Sequence, residues 1–378
     1  MKLYAVQTSI SRTAGGLFFS VRNLLIQISQ KEGDKCDVCA LGVTDHYSDQ
    51  DKEAWTGVKV QTFTGFAGKL GLSFSLLRFA ARNFKSGDVV YLNGIWTFVS
   101  LAARIAQWKK VAVVIAPRGM LDEWIIKKNK IPKRIYHHFF ENALLSRASF
   151  VHALTEKEAE SIRHLVPDAN VVVCPNGIPI PERFAAPVPR TKKVFLYIGR
   201  LDNKKGLLEL VESTNLLQEE LRDQWILKIH GWGSLEYGND LRESAARAKY
   251  SSNIEIGPAV YGPNKEAALT DADFFILPSK SEGLPMAAIE ALAAGRPAII
   301  TAECNFDEEV MQSDACLVLG PRSQWSSVLT GAIRMDHQEI EHRSIEARRI
   351  AETKFDIQKI APRMLQLFRE TALVPSCD

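Results

Sequence analysis

The sequence predicts an α/β protein of two doubly wound, Rossmann-like domains, and three observations predict it. Short β-branched runs alternate with longer helical patterns from end to end. A proline-rich break interrupts that alternation midway. The chain also has 378 residues, 46% hydrophobic and 24% charged, which suffices for two domains of ordinary size.

Strands of the first domain are expected at Leu3–Gln7, Asp37–Leu41, Val89–Leu92, Val111–Ile115, Phe150–Ala153 and Val171–Val173. Those of the second are expected at Val194–Ile198, Trp225–His230, Ile254–Ile256, Phe274–Leu277, Ala298–Thr301 and Leu317–Leu319. Strands separated by helices pair in parallel, because the helix is the crossover. The break is Pro175-Asn176-Gly177-Ile178-Pro179-Ile180-Pro181, continuing through Pro187 and Pro189, too rich in proline and glycine for a helix or a central strand. Domains are therefore placed at 1–180 and 181–358, with a C-terminal helix at about 359–378 packing back on the first. A cleft is expected between the C-terminal edges of the two sheets, where open α/β sheets bind ligands.

No apolar run reaches the ~18 residues of a membrane span, and Met1 to Thr8 lacks the basic and apolar regions of a signal peptide, so the cytoplasm is the expected compartment. The six cysteines form no disulfide framework. Cys36 and Cys39 make one C-x-x-C, whose second member lies in a strand-like run, leaving packing or a redox or zinc role open. Net charge is +3, yet the chain up to residue 180 carries 23 Lys+Arg against 15 Asp+Glu and the remainder 24 against 29. The basic first half is suited to an anionic partner. Nucleic acid is not expected, since no zinc-finger spacing or RNA-recognition sequence occurs.

Chemistry concentrates in Leu277-Pro278-Ser279-Lys280-Ser281-Glu282-Gly283-Leu284-Pro285-Met286, followed by a helix containing Glu290. An apolar strand ends at Pro278, a polar loop follows, and Pro285 suits a first helical turn, so the loop offers backbone N–H groups and a positive helix end to a diphosphate or sugar hydroxyls. Two carboxylates, Glu282 and Glu290, then serve one ligand at two distances, unless Glu290 is a solvated helix residue. Upstream, Gly199-Arg200 and Lys205-Gly206 follow the first strand of the second domain. There arginine and lysine suit a pyrophosphate as fork and point charge. A further loop, His230-Gly231-Trp232-Gly233-Ser234, has glycines that admit close backbone approach to a ligand.

Together these residues resemble the E-x7-E signature of the retaining GT-B glycosyltransferases of family 4. The supporting matches are Gly199-Arg200 with Lys205-Gly206, Gly231-x-Gly233, Ala272-Asp273 before Pro278-Ser279, and Glu290-Ala291-Leu292-Ala293-x-Gly295-x-Pro297. The resemblance covers essentially the whole second domain. In the first domain the matches are Gly15-Gly16, Pro117-Arg118-Gly119-Met120-Leu121 and Ala153-Leu154-Thr155-Glu156-x-Glu158. Asn93-Gly94 stands where the family often has histidine-glycine.

The resemblance implies GT-B architecture and a retaining transfer from a UDP- or GDP-linked sugar to a glycan or lipid-linked glycan acceptor, in bacterial-type cell-surface polysaccharide or lipopolysaccharide synthesis. It implies that Arg200 and Lys205 bind the donor diphosphate, that Glu282 contacts the transferred sugar, and that the amides of Gly283, Leu284, Pro285 and Met286 line that site. Glu290 would accept from the ribose, and Gly15 and Gly16 would let the first domain close on the donor. Gly199, Gly231 and Gly233 belong to the same donor set, and Asn93 and Arg118 to the acceptor side. No metal and no cofactor beyond the nucleotide-diphosphate sugar co-substrate is expected, as no D-x-D motif lies in a suitable loop. Glu282 as nucleophile, a nucleotide-sugar epimerase of this fold, and a non-catalytic sugar-nucleotide or glycan binder are the alternatives.

The segment Trp124 to Phe140 holds five Lys/Arg and no acid among aromatic and aliphatic residues, which suits an anionic membrane surface or a solvated helix. The apolar stretch Phe63 to Phe74 is placed near it. A peripheral position on the cytoplasmic face of the inner membrane is expected.

Overall fold

A computed structural model describes residues 1–32, 35–66, 70–121 and 141–373. The basic segment 124–140 lies outside them. The chain divides into two compact units, Met1–Pro179 with Asp356–Asp378, and Ile180–Phe355.

Unit 1 holds a seven-stranded sheet of β1 (Lys2–Gln7), β2 (Asp37–Val43), β3 (Lys59–Phe63), β4 (Val89–Asn93), β5 (Ala112–Ala116), β6 (Phe150–Ala153) and β7 (Val171–Val173). Its order is β3-β2-β1-β4-β5-β6-β7, with every pair parallel. Strands covered on both faces read as unbroken apolar runs, and β4 and β5 are buried at every position. One face packs against the helices Phe74–Asn83 and Ser100–Trp108. The other packs against Gly16–Glu32 and the C-terminal helix Ile357–Leu373, where Phe368 meets Tyr91 with ring centroids 5.1 Å apart.

Unit 2 holds β8 (Lys193–Leu201), β9 (Trp225–Gly233), β10 (Ile254–Pro258), β11 (Phe274–Leu277), β12 (Ala298–Thr301) and β13 (Cys316–Leu319), in the order β10-β9-β8-β11-β12-β13, again all parallel. The order reverses beside β1 and β4 in unit 1 and beside β8 and β11 in unit 2. Ligands of doubly wound sheets enter at such switch points, at the carboxyl ends of the strands.

Two sequence expectations need correction. β3 was not anticipated; as an edge strand it alternates half-buried with exposed positions, and Lys59 and Gln61 hide its pattern. β8 and β9 also run further than expected, pairing Gly199 with Gly231, Arg200 with Trp232 and Leu201 with Gly233. These residues therefore sit on strand ends, not on loops. The glycines explain the extension: a Cβ on Gly233 would stand 2.1 Å from the Leu201 carbonyl oxygen, and one on Gly231 2.3 Å from that of Gly199. Their close approach is to β8.

Cys36 is buried and Cys39 half-buried. Burial pushes Cys39 up to about 11, which keeps it protonated and unreactive at neutral pH and favours packing as its role. Among the described residues no helix is long and apolar enough to cross a membrane, and no group of three His, Cys, Asp or Glu is placed to hold a metal ion.

Candidate active site

At the switch point of unit 2, β8 leads into a 3-10 turn, Asn203–Lys205, while β11 leads into the loop 278–285. Asp202 caps the turn by accepting from the Lys204 N–H. Gly206 then turns through φ +68°, and a Cβ there would lie 2.1 Å from the Pro278 carbonyl oxygen. That position admits only glycine, and it lets the two loops touch. The Lys280 N–H donates to the Lys204 carbonyl at 2.8 Å, and the Lys280 ammonium reaches Asn203 Oδ1 at 2.9 Å.

Across this contact the ammonium of Lys205 is bonded to Oε1 of Glu282, which also accepts from the Ser279 hydroxyl at 2.6 Å. The two side chains are only 16% and 13% exposed, so water screens the pair weakly. Glu282 is fixed from behind as well: its N–H donates to the Glu303 carbonyl at 2.8 Å, and its own carbonyl accepts from the Asn305 amide. Ser279 is fully buried, and its carbonyl accepts from the Thr301 hydroxyl at 2.5 Å.

Beyond Glu282 the N–H groups of Gly283 and Leu284 make no hydrogen bond among the described residues. The helix that follows spans Met286–Ala293 with Pro285 at its cap, a residue whose side chain makes no capping hydrogen bond. Donors and the positive helix end thus converge beside Glu282. Glu290, on the fifth residue of that helix, is half-buried and bonded to the ammonium of Lys265 from the helix Gly262–Asp271. A solvated role for Glu290 is thereby displaced. Lys265 is not legible in the sequence, since nothing local ties it to a carboxylate 25 residues away.

Arg200 is exposed near the end of β8. Its carbonyl accepts from the Tyr197 hydroxyl at 2.7 Å, and its guanidinium makes no hydrogen bond or ion pair among the described residues. Asp273 is structural: buried, it accepts from the Val194 N–H at 2.7 Å, and burial raises its carboxyl above the usual range.

In unit 1, Gly15 turns through φ +58° ahead of the helix Gly16–Glu32. The turn before it is anchored by Asp51, which accepts from the Arg12 backbone N–H at 2.7 Å and pairs with the Arg12 guanidinium. Asn93 ends β4, and Arg118 binds it directly: Nε and Nη2 donate to Asn93 Oδ1 at 3.1 and 2.7 Å. The loop carrying Arg118 is held by Glu158, whose buried carboxylate accepts from Gly119 N–H at 2.5 Å and Leu154 N–H at 2.8 Å. Thr155 and Glu158 flank the start of the helix Glu156–Leu165, Thr155 capping it through the Glu158 N–H. Thr155-x-x-Glu158 was visible in sequence as a motif, without its task of holding Gly119. Phe66, Leu70 and Phe74 are 61%, 49% and 67% exposed.

Two units, each a parallel sheet of reversed strand order, make up GT-B architecture, and a basic and acidic loop pair stands at the switch point of the second. The chain matches the family model "Glycosyl transferases group 1" over residues 180–349 and "Glycosyl transferase 4-like domain" over 30–177. It belongs to the group 1 glycosyltransferases. It is 28% identical over 214 residues to a GDP-mannose:cellobiosyl-diphosphopolyprenol alpha-mannosyltransferase of Xanthomonas campestris, a match covering 56% of this chain and 55% of the relative. The chain thus spans about half the length of the Xanthomonas relatives it matches. Among solved structures it resembles sucrose-phosphate synthase from Thermosynechococcus elongatus (TM-score 0.78, 17% identity, 98% of both chains). It also resembles Anabaena HepE in complex with UDP (TM-score 0.77, 16% identity, 98% of this chain and 100% of that one). At these identities the structures bear on the fold alone.

Proposed function

We propose that the protein transfers a sugar from a UDP- or GDP-linked donor to a glycan or lipid-linked glycan acceptor, with retention at the anomeric carbon and without a divalent metal. The family supports the reaction class, and the names of the Xanthomonas relative and of the UDP-bound HepE support the donor chemistry. The observation that carries the reading is the Lys205–Glu282 pair at the switch point of the second sheet.

In this reading the donor diphosphate takes Lys205 from Glu282, and Arg200 joins it, so that two cations meet the negative charge that builds on the leaving group. Glu282, released, accepts from a hydroxyl of the transferred sugar. The N–H groups of Gly283 and Leu284 and the helix start at Met286 hold the sugar and phosphate. Glu290, one oxygen held by Lys265, offers the other to the ribose. The leaving phosphate oxygen accepts the acceptor's proton on the face it departs from, which gives retention with no protein nucleophile.

The acceptor belongs to cell-surface polysaccharide or lipopolysaccharide synthesis. The basic first half and the exposed Phe66, Leu70 and Phe74 support a peripheral position on the cytoplasmic membrane face. The reaction is tested by incubating the full chain with UDP- and GDP-sugars and glycan or polyprenyl-diphosphate-linked acceptors, in EDTA, and following the anomeric proton by NMR. Acceptor-dependent nucleotide release with retained configuration is expected. Inverted product, or epimerised sugar nucleotide formed without acceptor, refutes the reading.

A further inference from the structure

The switch point of unit 1 carries a polar cluster that the donor chemistry does not use. Gln7 ends β1 and Asn93 ends β4, and the two are register partners. Strand alternation turns both to the face that carries Leu3, Ala5, Val89 and Tyr91. Gln7 is completely buried, yet neither atom of its amide has a hydrogen-bond partner among the described residues. A buried amide left unmatched is costly unless a ligand or water completes it.

Beside Asn93 stands Arg118, which holds a left-handed backbone at φ +59°. Arginine rarely adopts that conformation, and it persists only where surroundings impose it. Here the side chain imposes it: Nε and Nη2 bind Asn93, Nη2 also binds the Tyr91 hydroxyl at 2.7 Å, and Nη1 binds the Asn176 amide oxygen. One N–H of Nη1 is left without a hydrogen bond among the described residues.

None of these acceptors is charged. The Tyr91 hydroxyl donates onward to Nδ1 of His152, whose Nε2–H donates to the Cys174 carbonyl at 2.7 Å. Burial pushes Tyr91 up to about 12 and His152 down to about 3, so both are neutral near pH 7. The guanidinium is therefore aimed and rigid, while the groups bonded to it do not neutralise it.

We propose that Gln7 and Arg118 recognise an anionic group on the acceptor, a phosphate ester or a carboxylate, with Arg118 supplying the charge and the Gln7 amide a neutral donor. A guanidinium suits either planar or tetrahedral oxyanions, and a preorganised one loses little freedom on binding. The inference rests on the reading that unit 1 takes the acceptor, and it narrows that acceptor to acidic glycans or phosphate-linked ones.

The test uses the full chain saturated with UDP, and in parallel with GDP, so that the diphosphate site is filled. Binding of glucose 1-phosphate, glucuronate and methyl glucoside is then measured by ligand-observed NMR. At least one anion should bind, with methyl glucoside at least about tenfold weaker, and which anion binds separates phosphate from carboxylate sources. Arg118→Gln should abolish the preference, and Arg118→Lys should retain part of it. Gln7→Leu should weaken the anion several-fold without lowering the melting temperature, because it removes an unmatched amide; a structural role for Gln7 would instead lower the melting temperature and leave binding alone. Equal binding of the neutral glucoside, no binding of either anion, or unchanged anion affinity in the folded Arg118 and Gln7 variants overturns the proposal. Nucleotide binding recorded in the same samples reports on the donor reading separately.

Discussion

Lys205 and Glu282 are ion-paired across the two loops that leave the adjacent central strands β8 and β11, and both side chains are largely shielded from water. Each is the other's only charged partner among the contacts described for either side chain, so in the absence of ligand the pair holds its own loops together. A diphosphate competes for one member and thereby releases the other.

Substituting Lys205→Met should lower turnover by at least about 100-fold, since the charge acts on the leaving group. Glu282→Gln should also impair turnover. The stability losses of the two single variants should each be about 1–3 kcal/mol, and the double variant should lose clearly less than their sum. Strict additivity in denaturant unfolding would show that the pair is not energetically coupled.

Lys265→Met should raise the donor KM more than it lowers kcat, because Lys265 positions Glu290 and does not face the leaving group. Glu290→Gln should act in the same sense. An effect on kcat alone would separate this pair from donor binding.

Gly233→Ala should destabilise unit 2 by about 1–3 kcal/mol, because the added methyl meets the Leu201 carbonyl oxygen. A variant with unchanged thermal unfolding but lost nucleotide binding would return this glycine to the ligand.

Much of this architecture was legible in the sequence because central strands of parallel sheets, such as Val89–Asn93 and Ala112–Ala116, are apolar on both faces and bounded by glycine or proline. The edge strand Lys59–Phe63 was not, because Lys59 and Gln61, two of its five positions, are exposed. Gly199, Gly231 and Gly233 read as loop residues although they extend β8 and β9, because glycine signals close approach, and sequence does not say whether a ligand or a neighbouring strand approaches. The candidate residues Lys205, Glu282 and Glu290 stood out because short polar loops follow apolar strands. Long-range supports did not: the Lys265 pair with Glu290, and in unit 1 the hold of Glu158 on Gly119, join segments far apart in the chain.

His152 makes stability depend on pH. Its folded-state value lies near 3 against an ordinary 6.5, so between those values the unfolded chain binds more protons. The stability that His152 confers is fully present above about pH 6.5 and is lost as pH falls toward 3, at about 1 kcal/mol per pH unit. His152→Gln keeps an acceptor for Tyr91 and a donor for the Cys174 carbonyl but cannot titrate. Its unfolding midpoint should fall less steeply than the wild type's from pH 6.5 to 4; parallel curves would mean that His152 is already protonated in the folded protein.

Isothermal titration of UDP and GDP onto the wild-type chain and onto a double variant, Arg200→Ala with Lys205→Ala, in the presence of EDTA, measures whether these two cations hold the donor diphosphate without a metal. One nucleotide should bind the wild type without metal, and the double variant, still folded by circular dichroism, should bind it at least about tenfold more weakly. Absence of binding by either nucleotide, or equal affinity in the double variant, would contradict the donor reading.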